Sequence, residues 1–326
     1  MNSVVQGIGI GLPEGRLTNS DLERMVETSD EWIVQRTGIK ERRIAADHET
    51  TSHFATIALN NALEDAGVDP KDLDLIIVGT VTGDMPFPSV SCLVQEAVGA
   101  SKAGAMDVGA ACAGFIYSLA TAHGMVVSEH AKLVAVVGAD ALTKFVDFTD
   151  RQTCVLFGDG AGAVILRAVE NTDRGLIATS LRSDGSGAKF IHNQYGGSRF
   201  PMHKGFEEGA SPYIYMAGKE TYRFAVKAMG DACCEVLEKA SLSSDQVDLF
   251  VPHQANERII DSATERIGLR PERVYKNVDR FGNMSGASIP VALYEAVQDG
   301  RLQEGMVVMT VGFGAGLVWG ANLIRW

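Results

Sequence analysis

The second half of this sequence repeats the first, and this internal repeat constrains the fold more than any other feature. The segment ALEDAGVDPKDLDLIIVG (62–79) aligns with VLEKASLSSDQVDLFVPH (236–253) without a gap. The same register continues through two further pairs of segments, 109–122 on 283–296 and 133–138 on 307–312. One register that holds through helix, strand, helix and strand predicts two copies of an α/β unit, packed about a pseudo-twofold axis. The alternative is that any two α/β units share this much likeness.

Apolar strand-like runs alternate with amphipathic helical patterns along the chain, which indicates an α/β protein with largely buried strands. The expected strands are 74–80, 105–110, 132–139, 247–252 and 306–312. The expected helices are about 54–66, 113–128, 217–240, 254–267 and 286–299. The repeat divides the chain into an expected N-terminal half, 1–173, and a C-terminal half, 174–326.

Composition excludes several classes of function. The net charge of −12 argues against a nucleic-acid-binding protein, which normally carries a basic excess. No apolar run reaches the roughly 18–20 residues that span a bilayer, and the N-terminus lacks the pattern of a signal peptide. The five cysteines are an odd number without paired CxxC spacing. We therefore expect neither disulfides nor a metal site, and a cytoplasmic location.

Cys112 lies where a strand-like run passes into a helical pattern, between DVGAA and AGFIYSLATAHGMV. This position predicts a thiol near a helix N-terminus, where backbone N–H groups and the helix dipole favour the thiolate. The flanking alanines and Gly114 leave room for an acyl chain to approach. The alternative is a buried core cysteine, which is the commoner fate of this residue. Nothing near the other cysteines would activate a thiol: Cys92, Cys154, Cys233 and Cys234.

His253 and Asn283 follow the same logic in the second half. His253 ends the strand-like run VDLFVP, and an α/β sheet presents ligands at the carboxyl ends of its strands. A histidine there can hydrogen-bond a thioester oxygen near neutral pH. Asn283 stands in GNMSGAS, just before a helical pattern. The structural alternatives are a histidine bonded within a loop and an asparagine that only caps a helix.

The repeat makes these residues asymmetric between the two halves. Cys112 stands opposite Gly286, His253 opposite Gly79 and Asn283 opposite Gly109. Each reactive side chain therefore occurs in one copy only. A glycine-rich turn, GFGAG, lies between two expected strands near the C-terminus, where backbone N–H groups can face an oxyanion.

These motifs together resemble β-ketoacyl-acyl carrier protein synthase III of the thiolase-like superfamily. The resemblance rests on DVGAACAGF, PHQAN, GNMSGAS and GFGAGLVWG, and on TSDEWIVQRTGIKERR (28–43) and LFGDGAGAVIL (156–166), in the expected order. It covers the chain from about residue 4 to 326. It implies a thiolase-like, five-layered αβαβα fold of two related halves, which assembles as a homodimer.

The resemblance also implies a reaction without a cofactor, in which acyl-CoA and malonyl-acyl carrier protein are substrates. Cys112 takes an acyl group from a short acyl-CoA, malonyl-acyl carrier protein loses CO2, and the enolate attacks the acyl-Cys112 thioester. The product is a 3-oxoacyl-acyl carrier protein, the first intermediate of fatty acid synthesis. His253 and Asn283 hydrogen-bond the malonyl thioester oxygen. The backbone N–H groups of Cys112 and Ala315 form a second oxyanion site, which at an alanine requires negative φ.

Contacts to substrates carry over from the family in the same way. The residues expected to bind CoA are Thr28, Trp32, Arg36, Thr37, Arg151 and Asn256, with the Trp32 ring on adenine and the arginines on phosphates. Acidic acyl carrier protein would dock on Arg223, Arg258 and Arg266, and Lys219 and Tyr222 would line the pantetheine channel. Phe87 would reach across the dimer to line the partner's acyl pocket. From the residues alone, DEWIVQRTG (30–38) is better explained as a solvated amphipathic helix.

Rival interpretations remain within and outside this superfamily. A degradative thiolase would carry a second cysteine in the closing glycine-rich loop, and GFGAG has none. A specialised synthase III homologue for polyketide, quinolone or long-chain condensation shares the same three residues. An enzyme similar to HMG-CoA synthase is a further rival within the superfamily. A non-catalytic chain-length factor would have lost the nucleophile, which Cys112 argues against.

Overall fold

The computed structural model describes residues 1–205 and 211–326. Its strands are β1 (Asn2–Gly11), β2 (Arg16–Thr18), β3 (Glu41–Arg43), β4 (Leu75–Gly79), β5 (Gly104–Val108), β6 (Leu133–Ala141), β7 (Asp159–Val169), β8 (Gly175–Ser183), β9 (Ile191–His192), β10 (Tyr215–Met216), β11 (Leu249–Pro252), β12 (Val307–Gly314) and β13 (Val318–Arg325). Its α-helices are α1 (Asn19–Glu23), α2 (Asp30–Thr37), α3 (Thr51–Ala66), α4 (Val90–Val98), α5 (Gly114–Val127), α6 (Gly218–Ala240), α7 (Glu257–Arg266), α8 (Val278–Phe281) and α9 (Ser288–Gln298).

Two mixed sheets form the frame, and they share one strand order. The first runs β1-β7-β6-β4-β5 and the second runs β8-β13-β12-β11. In both sheets, the first two pairings in this order are antiparallel. The third pairing, β6 with β4 or β12 with β11, is parallel. The shared order confirms the predicted duplication. Only β5 lacks a counterpart, since the chain after β11 makes an isolated bridge, Phe250 with Val274, in place of a strand.

Five layers stack in the order helix, sheet, helix, sheet, helix. Helices α3 and α4 cover the outer face of the first sheet, and α6 and α7 cover that of the second. Helices α5 and α9 form the middle layer, where Ile116 and Leu119 pack with Ile289 and Leu293 between the sheets. These buried apolar faces hold the layers together. The layering confirms the predicted αβαβα fold.

The predicted elements agree with the observed ones to within a few residues. The helix expected over 113–128 is α5, and the strand expected over 306–312 is β12. The boundary proposed at 173/174 falls in the turn between β7 and β8, so the strands of the two large sheets lie on opposite sides of it. Among the described residues, no helix combines the length and apolar character that a membrane crossing requires.

Candidate active site

Cys112 sits on a strained turn at the N-terminus of α5. The turn, Ala111–Ala113, is one turn of 3-10 helix that follows β5, and Ala111 has a φ of 46°. We call it the catalytic turn. It packs against the second sheet so tightly that a Cβ at Gly314 would lie 2.6 Å from the Cys112 nitrogen. The predicted position at a helix N-terminus is therefore confirmed, and β12 closes it from the other half.

Asn283 precedes an equivalent turn, Ser285–Ala287, which we call the companion turn. Ser285 has a φ of 48°, close to that of Ala111 at the matching position of the repeat. The Asn283 Oδ1 accepts from the Ser285 nitrogen at 2.9 Å. Its backbone is paired with loop 156–158 on both sides, through Leu156 O at 2.8 Å and Gly158 N at 3.0 Å. With Oδ1 occupied, the amide NH2 is the group that Asn283 can offer to a ligand.

His253 follows β11 directly and is fully buried. Its backbone nitrogen donates to Val311 O at 2.7 Å, which fixes it to β12. The imidazole packs edge-on against the Phe313 ring with centroids 5.5 Å apart. Neither ring nitrogen has a hydrogen-bond partner in the described chain. A buried imidazole without hydrogen-bond partners destabilises the fold unless a ligand supplies those partners.

These three side chains line one cavity of about 980 Å³. Cys112 comes from the first half, and His253 and Asn283 come from the second. Val81, Leu142 and Phe157 contribute apolar wall from the first half, and Phe313 from the second. A large apolar pocket with a few convergent polar groups is the usual form of a small-molecule site. The three residues singled out in the sequence therefore meet at one place.

The protonation of the site differs from the expectation for Cys112. Burial raises the pKa of its thiol to about 12, the charge of Asp140 adds to this, and Ser285 opposes it. Desolvation therefore outweighs the helix dipole that is expected to favour the thiolate, and the pKa of this thiol lies above its ordinary value. Burial also lowers the pKa of His253 to about 3, so its imidazole is neutral at pH 7.

Comparison with known proteins places the chain in a family. Residues 106–185 match 3-oxoacyl-[acyl-carrier-protein] synthase III, and residues 237–326 match the C-terminal part of the same family. The β-ketoacyl-[acyl-carrier-protein] synthase III of Natranaerobius thermophilus is 48% identical over 327 residues, covering 100% of this chain and 99% of that protein. The chain belongs to the β-ketoacyl-[acyl-carrier-protein] synthase III family.

Further relatives agree with this assignment. The synthase III of Symbiobacterium thermophilum is 50% identical over 322 residues, which cover 99% of this chain and 97% of that protein. The crystal structure of synthase III from Thermus thermophilus has a TM-score of 0.93 and 47% identity, with 99% of both chains covered. Members of this family are acyltransferases and condensing enzymes, and so is this chain.

Several residues that the family likeness assigned to CoA cluster at the mouth of the cavity. Trp32 lines it, with the guanidinium carbons of Arg36 and Arg151 at 4.4 and 5.3 Å from the centre of its ring. Thr37 and Asn256 also line it. Their side chains are already bonded within the protein, Thr37 to Ile33 O and Asn256 to Arg36 O. Thr28 and Arg151 lie outside the lining.

The three arginines predicted to dock a carrier protein are exposed but not equivalent. Arg223 and Arg258 line the cavity, and so do Lys219 and Tyr222. The Arg258 guanidinium lies over the Tyr222 ring at 5.5 Å. Arg266 is further away and bonds Asp231 at 2.5 Å. This ion pair competes with any partner for Arg266.

Ala315 and Phe87 occupy very different places. Ala315 lines the cavity in the turn after β12, and its φ lies outside the left-handed region, which meets the condition for a backbone donor. Phe87 is 83% exposed and lies outside the cavity lining. Its predicted position in a partner's pocket stays a prediction.

Sequence reasoning missed Gly314, Asp140 and the roof of the cavity. The roof includes Ile191 and His192 of β9, which pairs with β10. Asp140 ends the run KLVAVVGAD, at the same sheet edge as His253 does in its half, and this position was the available signal. No group of three or more His, Cys, Asp or Glu in residues 1–205 and 211–326 is arranged to hold a metal ion.

Proposed function

We propose that this chain condenses a short acyl-CoA with malonyl-acyl carrier protein to give a 3-oxoacyl-acyl carrier protein, the first condensation of fatty acid synthesis. The convergence of Cys112, His253 and Asn283 in one cavity supports this proposal most strongly. The names of the relatives, which cover nearly the whole chain, support the same substrates.

Acyl transfer is the first step. The Cys112 sulfur attacks the thioester carbon of acyl-CoA, its S–H bond breaks, and the proton leaves with CoA as CoA-SH. Charge develops on the carbonyl oxygen, and the N–H groups of Cys112 and Ala315 are the donors we assign to it. The raised pKa of the Cys112 thiol means that this step begins from S–H, so deprotonation accompanies attack.

Decarboxylation of the malonyl thioester is the second step. Loss of CO2 places the electron pair of the broken C–C bond on the thioester as an enolate. The Asn283 NH2 group and one ring N–H of His253 donate to its oxygen. Because the pKa of His253 is lowered to about 3, the imidazole is a neutral donor and a poor acid, so it stabilises the enolate without protonating it. The enolate carbon then attacks acyl-Cys112 and expels the thiolate.

Recognition of the substrates follows from charge at the cavity mouth. We assign CoA to Trp32, Arg36 and Arg151, where guanidinium groups can pair with phosphates. We assign carrier-protein docking to Arg223 and Arg258, with Arg266 as an outer contact that must first release Asp231. These cations form a local basic face on a chain whose net charge is −12.

Assembly and location complete the proposal. We propose a homodimer in which Phe87, with its 83% exposed ring, enters the partner's acyl pocket. We further propose a cytoplasmic enzyme that needs no cofactor, since the chemistry above uses only side chains and backbone N–H groups.

The test is to incubate the protein with acyl-CoAs of graded length and branching and to map acylated residues by peptide mass spectrometry. We expect acyl groups on Cys112 only, with short chains fastest. Cys92→Ala, which removes an exposed thiol outside the cavity, is the matched control and should label like the native chain. Labelling of another residue, or none from any acyl-CoA, contradicts the proposal. A preference for long chains would favour the specialised homologue.

A further inference from the structure

Asp140, the residue before the end of β6, is a fully buried carboxylate without a cationic partner in the described chain. Four donors hold it instead. Its Oδ1 accepts from the Thr80 hydroxyl at 3.1 Å, the Val81 nitrogen at 3.0 Å and the Thr82 hydroxyl at 2.8 Å. Its Oδ2 accepts from the Gly286 nitrogen in the companion turn at 3.0 Å. Burial raises the pKa of Asp140, and hydrogen bonds to the carboxylate oppose that shift. The four donors also join the end of β4 to the turn that follows Asn283.

The internal repeat shows what this carboxylate replaces. In the gapless register, Asp140 stands opposite Gly314, and Gly286 stands opposite Cys112. The carboxylate therefore lies against the Gly286 N–H, whereas at the matching place in the other half Gly314 presents no side chain to the Cys112 N–H. A Cβ at Gly314 would intrude there, 2.6 Å from the Cys112 nitrogen. Asp140 thus fills, in one half, the oxyanion position that the other half keeps free.

Ser285 connects this carboxylate with the nucleophile. Its hydroxyl is buried and has no partner in hydrogen-bond geometry in the described chain. It lies near both groups and acts against burial, which raises the pKa of Cys112 and of Asp140. The companion turn therefore contacts Asp140 through the Gly286 N–H, and its Ser285 lines the same cavity as Cys112.

We propose that Asp140 is a positioning residue for the condensation: it occupies the oxyanion position of the companion turn, ties that turn to residues 80–82, and so holds Asn283 in place across from Cys112. This inference rests on the proposed roles of Asn283 and Cys112. It assigns Asp140 no contact with substrate.

Asp140→Asn tests the proposal, with Asp159→Asn as the matched control. Asp159 is equally buried, begins the neighbouring strand β7 and accepts from the backbone nitrogens of Thr143 and Ala45, neither of which belongs to the companion turn. In Asp140→Asn an amide NH2 must either face the Gly286 N–H or displace the donors of residues 80–82. We expect decarboxylation of the malonyl thioester to fall about tenfold or more, with the KM for acyl-CoA unchanged. Asp159→Asn should lose stability but keep both parameters.

The rate of Cys112 alkylation by iodoacetamide against pH supplies a second measurement that a merely structural role would not change. Removing the Asp140 charge lowers the pKa of Cys112, so alkylation at a given pH should be about tenfold faster in Asp140→Asn. Asp159→Asn should follow the native profile. Equal profiles and equal decarboxylation in the two variants would overturn the proposal. Because alkylation needs no acyl group, this result is independent of the proposed substrates.

Ser285→Ala keeps the proposal testable should Asp140→Asn not fold. Alanine tolerates this backbone, since Ala111 has nearly the same φ at the matching position. Because the Ser285 hydroxyl lowers the pKa of Cys112, its loss should slow alkylation at a given pH about fivefold, in the opposite direction to Asp140→Asn. An unchanged or faster rate would overturn the coupling of Asp140, Ser285 and Cys112.

Discussion

The catalytic turn and the companion turn have nearly the same backbone, yet only one of them carries the proposed nucleophile. Both begin at a residue with φ near 47° and lead into a middle-layer helix. Each packs on a glycine of the other half's sheet: Gly312 faces Cys112, and Gly138 faces Gly286. The catalytic turn has a thiol, and the residue next to its N–H, Gly314, has no side chain. The companion turn has no side chain at Gly286, and a carboxylate covers its N–H.

This difference teaches that the active site depends as much on what is missing as on what is present. The strained turn and the helix N-terminus occur in both halves, so neither is sufficient for catalysis. The half that holds Cys112 packs on Gly314, which lacks the side chain that Asp140 has at the matching position. What distinguishes the other half is the addition of His253 and Asn283, where the first half has Gly79 and Gly109.

Removal of the nucleophile should give the largest effect. Cys112→Ala makes the catalytic turn as unreactive as the companion turn, and acyl transfer should fall by about 10⁴-fold or more. Turnover and intact mass after exposure to acyl-CoA measure this loss. The melting temperature should change little, since a residue with no side chain fits the matching position. Transfer that persists in this variant would show that the nucleophile lies elsewhere.

The partners from the second half should affect one step selectively. His253→Ala or Asn283→Ala removes a donor to the enolate oxygen, so decarboxylation should fall about 10²- to 10³-fold. Acylation of Cys112 should stay within a few-fold of native. Single-turnover acylation and CO2 release measure the two steps, with His123→Ala, a half-buried histidine outside the cavity, as control. Collapse of acylation with decarboxylation intact would reverse the assigned roles.

Gly314→Ala makes the catalytic turn resemble its companion, because it puts a side chain in front of the Cys112 N–H. The Cβ would also lie 2.9 Å from that of Ala111, so the turn must shift. We expect condensation to slow by about ten- to a hundredfold. Gly124→Ala, in α5 with open space around it, is the control and should retain full activity. Native rates in Gly314→Ala would mean that the space at 314 is not needed.

The smallest expected effect concerns acid stability. The pKa of His253 is about 3 in the folded chain, below its ordinary value of 6.5, so only the unfolded chain binds this proton between those values. The native unfolding free energy should therefore lose about 1.4 kcal/mol per pH unit from this group as pH falls below 6.5. His253→Asn lacks this pH-dependent contribution to the unfolding free energy. Denaturant unfolding at pH 7, 6 and 5 should show the two curves converging. Parallel curves would contradict a buried neutral imidazole.

The sequence predicts this molecule best where the repeat applies. A gapless register requires equivalent elements to pack alike, so the duplicated α/β unit followed from it. The alternating apolar pattern placed α5 and β12 to within a few residues. The same register set Asp140 opposite Gly314, but it could not show that a carboxylate lies in front of the Gly286 N–H.

The rest could not be predicted because it depends on neighbours from distant parts of the chain. The helix N-terminus at Cys112 was visible in the sequence, but the desolvation that raises its pKa comes from packing between the halves. Residues 30–38 alone indicate an exposed helix, and only the structure places Arg151 over Trp32. Likewise the charge of Arg266 was evident, but its ion pair with Asp231 of α6 was not.

The pairing of each reactive residue with a glycine suggests how such a site can be moved by design. The two halves have equivalent backbones, and the residues of the site differ between them at four matched positions. These are Cys112 with Gly286, Asp140 with Gly314, His253 with Gly79 and Asn283 with Gly109. Exchanging the members of all four pairs would transplant the reaction centre to the opposite turn of one unchanged backbone. Such a transplant would need a new entrance for substrates, because the roof over the present cavity belongs to one side only.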